Sequence, residues 1–184
     1  ETLDASSAAS TTSVSRITLR LEFRTSPVPN MIYHSDRKHL YVTGMVAEQN
    51  SSRFRGFLNK INLSNPANPQ IIEQFITEGI AVTEGLLIDG SHLYQNSFVY
   101  GGKDQLESFS IEVPLEASSS GKATLPDNDW KNKARRVGGL HVTKGMAYVG
   151  EGQHGFSVVD VNDPMNPVFR SDHAAQGEVM DLEI

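Results

Sequence analysis

The chain has 184 residues, of which 38% are hydrophobic and 21% are charged, with a net charge of −6 and no cysteine. This is the composition of a globular domain large enough to bury about 70% of its unfolded surface. The lack of cysteine excludes disulfides, thiolate metal sites and cysteine nucleophiles. The acidic balance argues against nucleic acid as a partner, because phosphate binding needs clustered Lys and Arg. No apolar run approaches the ~20 residues of a membrane span.

The N-terminal part divides into a leader and a strand-like segment. Residues 1–15 are rich in Ser, Thr and Ala and are expected to form a flexible leader. Alternating apolar residues follow at Ile17, Leu19, Leu21 and Phe23. That period predicts a half-buried strand, which Pro27 and Pro29 then interrupt. The first residues have neither the basic nor the apolar region of a signal peptide, so an exported protein would have lost its signal before this numbering begins.

A strand followed by a turn occurs twice, at residues 58–69 and 156–167. Both copies alternate apolar residues with Asn, Asp or another polar residue. Each then has Asn or Asp before Pro, any residue, and Asn-Pro. Pro presets the backbone angle of a turn, and the preceding Asn or Asp can accept a hydrogen bond from the turn backbone. A strand and turn that recur in this way predict a repeat architecture.

Each repeat unit is predicted to contain several short strands. First strands are expected near 31–33, 80–82 and 140–142. Second strands contain Tyr41, Tyr94 and Tyr148. Third strands are predicted at 58–63, 109–113 and 156–161, and fourth strands at 71–75 and 168–170. In the second unit we expect a solvated excursion over 115–129 in place of the Asn-Pro turn.

Four strands per unit, short turns and no helical period predict an all-β fold of β-propeller blades, each with four antiparallel strands. The blade-like units are placed near 30–76, 79–136 and 137–173, and another begins at 177–184, all within a repeat region over 16–184. A propeller needs at least about four blades. We therefore expect about three full blades plus parts of others, and a fragment of a larger propeller.

The segment from Gly155 to Pro164, which contains Val158-Val-Asp-Val161, resembles the LVIVD-type repeat of bacterial and archaeal secreted or surface proteins. The match is best over Gly155–Pro167 and weaker over Leu58–Pro69. In the second unit Glu112 takes the place of the usual Asp, and Pro114 begins an insertion. The resemblance implies a β-propeller and carries no enzymatic expectation.

Candidate catalytic and metal-binding residues have simpler structural interpretations. His39 and His92 occupy equivalent repeat positions. His34 and His141 lie beside innermost strands, where one of them could face a central channel and bind a metal. The acidic candidates for calcium are Asp127, Asp129, Asp160 and Asp163, of which the last two are explained by the repeat. Neither a nucleophile elbow nor a zinc-protease motif is present, so no catalytic residue, metal ligand or cofactor is predicted.

The sequence favours a non-enzymatic scaffold for macromolecular interaction, because function in such folds lies in loops on the repeat framework. A protein or a surface glycan is the expected partner, at a bacterial or archaeal surface or in the periplasm. The remaining blades would come from the same gene product or another chain. The predicted binding residues are Arg53, Phe54, Arg55, Tyr100, Arg135, Arg136, Glu151 and His154. The alternative is an enzyme or a metal-binding propeller whose site is completed by blades outside this chain.

Overall fold

The computed structural model describes residues 25–47, 54–77, 80–98, 103–115, 121–126, 139–152, 154–175 and 179. Over these residues the chain is all-β, with twelve strands in three four-stranded antiparallel sheets and no helix. The prediction of an all-β, antiparallel fold is therefore confirmed.

Each sheet is a meander in which consecutive strands are neighbours. Sheet 1 contains β1 (Thr25–His34), β2 (His39–Ala47), β3 (Phe54–Asn62) and β4 (Gln70–Thr77). Sheet 2 contains β5 (Ile80–Asp89), β6 (His92–Phe98), β7 (Asp104–Ser110) and β8 (Gly121–Thr124). Sheet 3 contains β9 (Leu140–Thr143), β10 (Met146–Gly150), β11 (Phe156–Asp160) and β12 (Val168–His173).

Tight turns connect the first and second strands of each sheet. In sheet 3, Lys144 and Gly145 both have positive φ, 50° and 74°. This is the backbone of a two-residue hairpin whose twist matches that of its strands. Lys38 and Gly90 take up the left-handed conformation in the corresponding turns, with φ of 52° and 55°.

Pro27 and Pro29 were expected to interrupt the chain between two strands. Instead both lie inside β1, which begins at Thr25. The pairing of β1 with β2 is irregular between Ser26 and Asn30. Proline has no N–H to donate and is tolerated in a strand where the ladder is interrupted. The irregular register therefore accommodates both prolines.

The turn between the third and fourth strands is closed by a side chain at the end of the third strand. Asn62 Oδ1 accepts a hydrogen bond from the backbone N–H of Ser64 (2.8 Å). Asp160 Oδ1 accepts the equivalent bond from Asn162 (3.0 Å). These two turns therefore have the same local closure.

A second side chain closes the same turns at the residue before each proline. Asn65 Oδ1 accepts a hydrogen bond from the N–H of Ala67 (3.1 Å), and Asp163 Oδ1 accepts one from Met165 (3.1 Å). The expectation that Asn or Asp before Pro bonds the turn backbone is confirmed at both sites.

The corresponding turn of sheet 2 corrects two predictions. Strand β7 ends at Ser110, so the expected third strand over 109–113 was wrong. Ile111 has left the ladder, and its N–H bonds the carbonyl of Ser91 (2.9 Å). Ser110 pairs with His92 just as Asn62 pairs with His39. Ser110, rather than Glu112, therefore takes the Asn or Asp position, and its Oγ accepts the N–H of Glu112 (3.4 Å).

The expected solvated excursion over 115–129 was wrong where the structure describes it. Leu115 is fully buried, and residues 121–124 form β8, the fourth strand of sheet 2. Ala123 in β8 and Leu125 after it are buried against sheet 3. The short alternation of small or apolar residues with polar ones is a strand signal that the Ser-rich sequence before it concealed.

Successive sheets pack face to face through apolar clusters. Between sheets 1 and 2 lie Tyr41, Leu58, Leu93, Phe109, Ile111 and Leu115. Between sheets 2 and 3 lie Tyr94, Leu106, Ala123, Leu125, Leu140, Ala147, Val149, Val159 and Val161. A third cluster, on the face of sheet 1 away from sheet 2, contains Val42, Val46, Phe57 and Ile61. The first strands adjoin, with β1 beside β5 and β5 beside β9.

Polar contacts cross each of these junctions to the turn of the following sheet. From sheet 1, Glu73 Oε2 accepts the backbone N–H of Leu115 (2.6 Å), while its Oε1 pairs with Lys60 Nζ (2.9 Å). From sheet 2, the hydroxyl of Ser108 donates to the backbone carbonyl of Pro164. The turn between third and fourth strands is therefore attached to the preceding sheet at both junctions.

Candidate functional site

The last residues of the second strands and the first residues of the third strands lie on one side of the three-sheet array, here called the loop side. Asn96, near the end of β6, donates from Nδ2 to the carbonyl of Gly150, the last residue of β10 (3.1 Å). On the opposite side, Arg37 in the turn after β1 pairs with Glu112 in the turn after β7 (3.1 Å). Corresponding ends of neighbouring sheets therefore lie together.

Four of the predicted binding residues are described, and all lie on the loop side. Phe54 and Arg55 begin β3, opposite Ala47 and Val46, and Arg55 is exposed while Phe54 is half-buried. Glu151 and His154 follow β10 in sheet 3, where His154 is exposed and Glu151 half-buried. The two pairs belong to different sheets with sheet 2 between them. Four other predicted residues lie outside the described part of the chain: Arg53, Tyr100, Arg135 and Arg136.

The loop after β10 is held in a defined shape by its own backbone. Glu151 N–H bonds the carbonyl of Gly155 (2.8 Å), and His154 N–H bonds the carbonyl of Glu151 (3.2 Å). Gly152 and Gly155 have φ of 59° and 97°, which favour glycine because it lacks a Cβ. At Gly155 a Cβ would also collide with the backbone of His173. The sequence pattern of glycines therefore builds a compact loop that presents Glu151 and His154.

The carboxylate of Glu151 is oriented by a hydrogen bond from β11, the next strand. Ser157, which is fully buried in β11, donates its hydroxyl to Glu151 Oε1. This charge-assisted hydrogen bond restricts the orientations that the Glu151 carboxylate can take. The loop can therefore offer a fixed acceptor beside an exposed imidazole, which suits a hydrogen-bonding partner such as a peptide or a sugar.

Sequence reasoning missed a row of buried polar residues in the third strands. Asn59, Glu107 and Ser157 occupy the same ladder position, opposite the second strand, and are 0%, 1% and 0% exposed. Each follows an apolar residue in its strand, but nothing local shows that a polar residue at this position is buried.

Glu107 is the ionisable member of this row. Its Oε2 accepts hydrogen bonds from Gln95 Nε2 (3.0 Å) and Ser97 Oγ (2.8 Å). Burial raises the pKa of the Glu107 carboxyl, and the hydrogen bond from Ser97 opposes that rise. Because only 1% of Glu107 is exposed, a substrate cannot reach it in this conformation, and the side chain serves packing between sheets.

The acidic residues considered for calcium are occupied by the turn. Asp160 accepts a hydrogen bond from Arg170 (2.7 Å), which together with Asn162 lowers its pKa to about 2. Asp163 accepts from Asn166 Nδ2 (2.8 Å) and from Met165. Asp127 and Asp129 lie outside the described residues.

The histidines considered as metal ligands also have local roles where they are described. His34 Nδ1 accepts the N–H of Arg37 (3.3 Å), and His141 is half-buried in β9. His39 and His92 each begin a second strand, at equivalent positions as expected. Across the described ranges, His, Asp and Glu form no group of three that could hold a metal ion.

A groove of about 710 Å³ lies at the outer margin between sheets 1 and 2. It is lined by Ile71, Ile72, Glu73, Gln74 and Pro114. Ile72 is 45% exposed in β4, whose sole partner among the described strands is β3. The groove is therefore a second surface that could receive an extended chain, away from the loop side.

Comparisons with known proteins leave the fold and the site to be judged from the molecule itself. Neither a family model, a curated protein nor a solved structure matches the chain. Among the described residues no helix is long and apolar enough to cross a membrane.

Proposed function

We propose that the three sheets are blades of a β-propeller of the LVIVD-like type. The observation that supports this most strongly is that successive sheets repeat the same packing. Each pair has adjoining first strands, an apolar cluster between its faces, and a polar contact to the following turn. Radial repetition of four-stranded meanders with neighbouring first strands is the arrangement of propeller blades.

The function that we propose is macromolecular binding without catalysis, through the loop side. Loops on a repeat framework carry function while the sheets position them. The described part of this surface combines the exposed Arg55 guanidinium, the oriented Glu151 carboxylate and the exposed His154 imidazole. These groups favour a polar, hydrogen-bonding partner, either a protein segment or a surface glycan. We place the protein at a bacterial or archaeal surface or in the periplasm, in line with the repeat resemblance.

Binding to a glycan array and to soluble envelope proteins, compared between matched variants, tests this proposal. We expect Arg53→Ala/Arg55→Ala and Glu151→Gln/His154→Ala each to weaken binding about tenfold or more, because interface energy concentrates in few side chains. Arg37→Ala, which removes one arginine on the opposite side, is the control, and Ile72→Asp tests the groove.

Equal binding by the wild type and both loop-side variants would overturn the loop-side assignment, and a selective loss in Ile72→Asp would move the site to the groove. Metal analysis of the purified protein addresses the enzyme or metal-binding alternative. Stoichiometric metal that is lost in His141→Ala would replace the proposed function with that alternative.

A further inference from the structure

The fourth strands of the three sheets differ in how their outer edges are protected. Each of them has the third strand of its sheet as its sole partner among the described strands. The outer edge of such a strand presents backbone N–H and C=O groups with which another extended chain can pair, and natural sheets block it with short strands or charged side chains. Strand β8 has four residues and an exposed lysine, Lys122. Strand β12 has six residues, of which Arg170 and Asp172 are charged and exposed.

Strand β4 has neither form of protection. It is eight residues long, and its exposed side chains are all uncharged: Gln70, Ile72 and Gln74. Ile72 occupies the position of Arg170, because each is the extra residue where the register with the third strand shifts. Gln74 occupies the position of Asp172, as their pairings with the third strands show. Two charges that protect the edge of sheet 3 are therefore replaced by an apolar residue and an amide in sheet 1.

The partner of the shifted residue differs in the same way. In sheet 3, the Arg170 guanidinium pairs with the Asp160 carboxylate (2.7 Å). In sheet 1, Asn62 lies at the Asp160 position, and its side-chain oxygen accepts the N–H of Ser64 in the turn. Ile72 thus stands 45% exposed on the strand edge in place of an ion pair. The device that would repel an incoming strand at β12 is absent from the described residues of β4.

The groove between sheets 1 and 2 adjoins this unprotected edge. Four consecutive residues of β4, 71–74, line it from sheet 1, and Pro114 lines it from sheet 2. Its volume of about 710 Å³ is large enough for side chains of a bound peptide. At the next junction the carbonyl of Pro164 lies so close to Gly121 that a Cβ would collide with it. The first junction therefore leaves room beside its outer strand where the second junction is closed.

The charges beside the groove indicate what kind of ligand it suits. Both carboxylate oxygens of Glu73 are engaged within the chain, one by the ammonium of Lys60 and the other by a backbone N–H. Glu112, in the turn after β7, pairs with Arg37. With these charges already paired, the surface offers a ligand the backbone edge of β4 and the apolar side chain of Ile72. An extended, uncharged peptide complements both.

We propose that β4 is a docking edge for an extended segment of a protein partner, which adds to sheet 1 as a further strand. The segment is uncharged, and one of its apolar side chains enters the groove between Ile72 and Pro114. In strand addition, backbone hydrogen bonds supply affinity, and pockets for alternate side chains supply specificity. This docking edge uses none of the loop-side residues, so it does not rest on the proposed function.

A displayed library of random short peptides, selected on the purified protein, supplies the probe. We expect the enriched peptides to alternate apolar with uncharged polar residues and to lack proline in that stretch. Ile72→Arg, which gives β4 the residue of β12, should weaken binding of the synthetic consensus peptide at least about tenfold. Val168→Lys, at a similarly exposed position of β12, is the matched control and should bind like the wild type. Gln74→Lys repeats the test if circular dichroism shows that Ile72→Arg is unfolded.

Methylated peptides distinguish strand addition from docking through side chains alone. Methylation of alternate backbone nitrogens removes either the N–H donors that face β4 or those that face away from it. We expect one of these two peptides to lose binding at least about tenfold and the other to retain it, because only one set of donors pairs with the edge. The affinity should change less than about twofold with salt, since the charges beside the groove are already paired.

A selection that enriches no peptide on the wild type over Ile72→Arg would overturn the proposal. Peptides that bind equally well with either methylation pattern would also overturn it. Self-association of the wild type that Ile72→Arg abolishes would assign the edge to a second copy and replace the partner segment. Arg55→Ala and Glu151→Gln should leave peptide binding unchanged, so that failure of the loop-side function and failure of the docking edge give different results.

Discussion

The two junctions between sheets place very different residues, glutamate and glycine, at equivalent backbone positions. Glu73 in β4 and Gly121 in β8 lie opposite the same position of the third strand, Lys60 and Ser108 respectively. At the first junction a carboxylate spans the gap to the following turn. At the second junction glycine lets the carbonyl of Pro164 approach so closely that a Cβ would collide with it.

The repeat therefore preserves the path of the backbone, whereas the side chains between the sheets differ from one junction to the other. In the turn after β7, Val113 stands before the proline, where the turn of sheet 3 has Asp163. The N–H of Leu115 donates instead to Glu73 of sheet 1. Sheet 3 retains Asp163 and satisfies the same N–H locally. The same requirement, a partner for a turn N–H, is thus met by either local or tertiary contacts.

Removing the carboxylate from the first junction should have the largest effect. Glu73→Ala leaves the Lys60 ammonium, whose side chain is 9% exposed, without its partner, and Leu115 N–H without an acceptor. We expect a loss of about 3 kcal/mol in the free energy of unfolding, measured in urea. Lys60→Met/Glu73→Leu should recover much of it, since no buried charge remains. If Glu73→Gln, which removes the charge but can keep an acceptor for Leu115 N–H, is as stable as the wild type, the Lys60–Glu73 pair does not stabilise this junction.

Adding one methyl group at the second junction should cost about 2 kcal/mol. The Cβ of Gly121→Ala meets the backbone of Pro164 and lies 2.9 Å from Met165 C, so sheets 2 and 3 must move apart. Gly90→Ala is the matched control, because its φ is 55° and nothing lies within 4 Å of the added atom. Its cost should be about 1 kcal/mol, from backbone conformation alone. Equal costs in denaturant unfolding would contradict the close approach of the sheets.

The pH dependence of stability should distinguish sheet 2, which contains the buried Glu107, from the other two sheets. The pKa of Glu107 is raised from 4.5 by burial, so the unfolded chain releases this proton at lower pH than the folded chain. The contribution of Glu107 is therefore present below pH 4.5 and is lost as pH rises through the folded pKa. Glu107→Gln keeps the acceptor for Ser97 and should gain stability relative to wild type as pH rises through that window. Asn59 and Ser157 at the equivalent positions do not titrate.

Asp160→Asn provides the opposite sign as a control. The folded pKa of Asp160 is lowered from 3.8 to about 2, chiefly by the hydrogen bond from Arg170. Its contribution is present above pH 3.8 and is lost as pH falls toward 2. The Asn variant should therefore flatten the acid end of the stability curve. If the stability differences of Glu107→Gln and Asp160→Asn from wild type change with pH in the same direction, one of the two pKa shifts is assigned wrongly.

The surface pair at the first junction should have the smallest effect. Arg37 and Glu112 are 36% and 58% exposed, so water and salt screen their attraction. Arg37→Ala should change the free energy of unfolding by less than about 1 kcal/mol, and the change should vanish in high salt. A larger effect that persists in salt would show that this pair, and not Glu73, attaches the turn to sheet 1.

Prediction from sequence succeeded where the controlling interactions are local. Apolar alternation located strands around Tyr41, Tyr94 and Tyr148, because it reflects which residues face a core. The turns at Pro66 and Pro164 were correctly interpreted because Asn, Asp and Pro act within three residues. Sheet 2 failed the same reasoning, since Ile111 is apolar and buried while its backbone is already in a turn.

The candidate site was predictable only in part. The repeat framework predicted that binding residues lie in its loops, and Glu151 and His154 do lie in the loop after β10. Nothing in the sequence indicated that Ser157 would orient Glu151, or that Glu107 would be buried. Both depend on which face of a strand meets another sheet, and the period of alternation is the same for either face.

The sequence by itself determined the all-β class, most strand positions and the two Asn-Pro turns, because backbone and side-chain preferences act over a few neighbouring residues. Tertiary structure alone decided the location of β8, the acceptor for Leu115 N–H and the side-chain contacts at the two junctions between sheets. Glu73 and Leu115, like Ser108 and Pro164, are far apart in the chain, and packing of the sheets brings each pair together. It is also packing that leaves Tyr148 half-exposed while the equivalent Tyr41 and Tyr94 are covered.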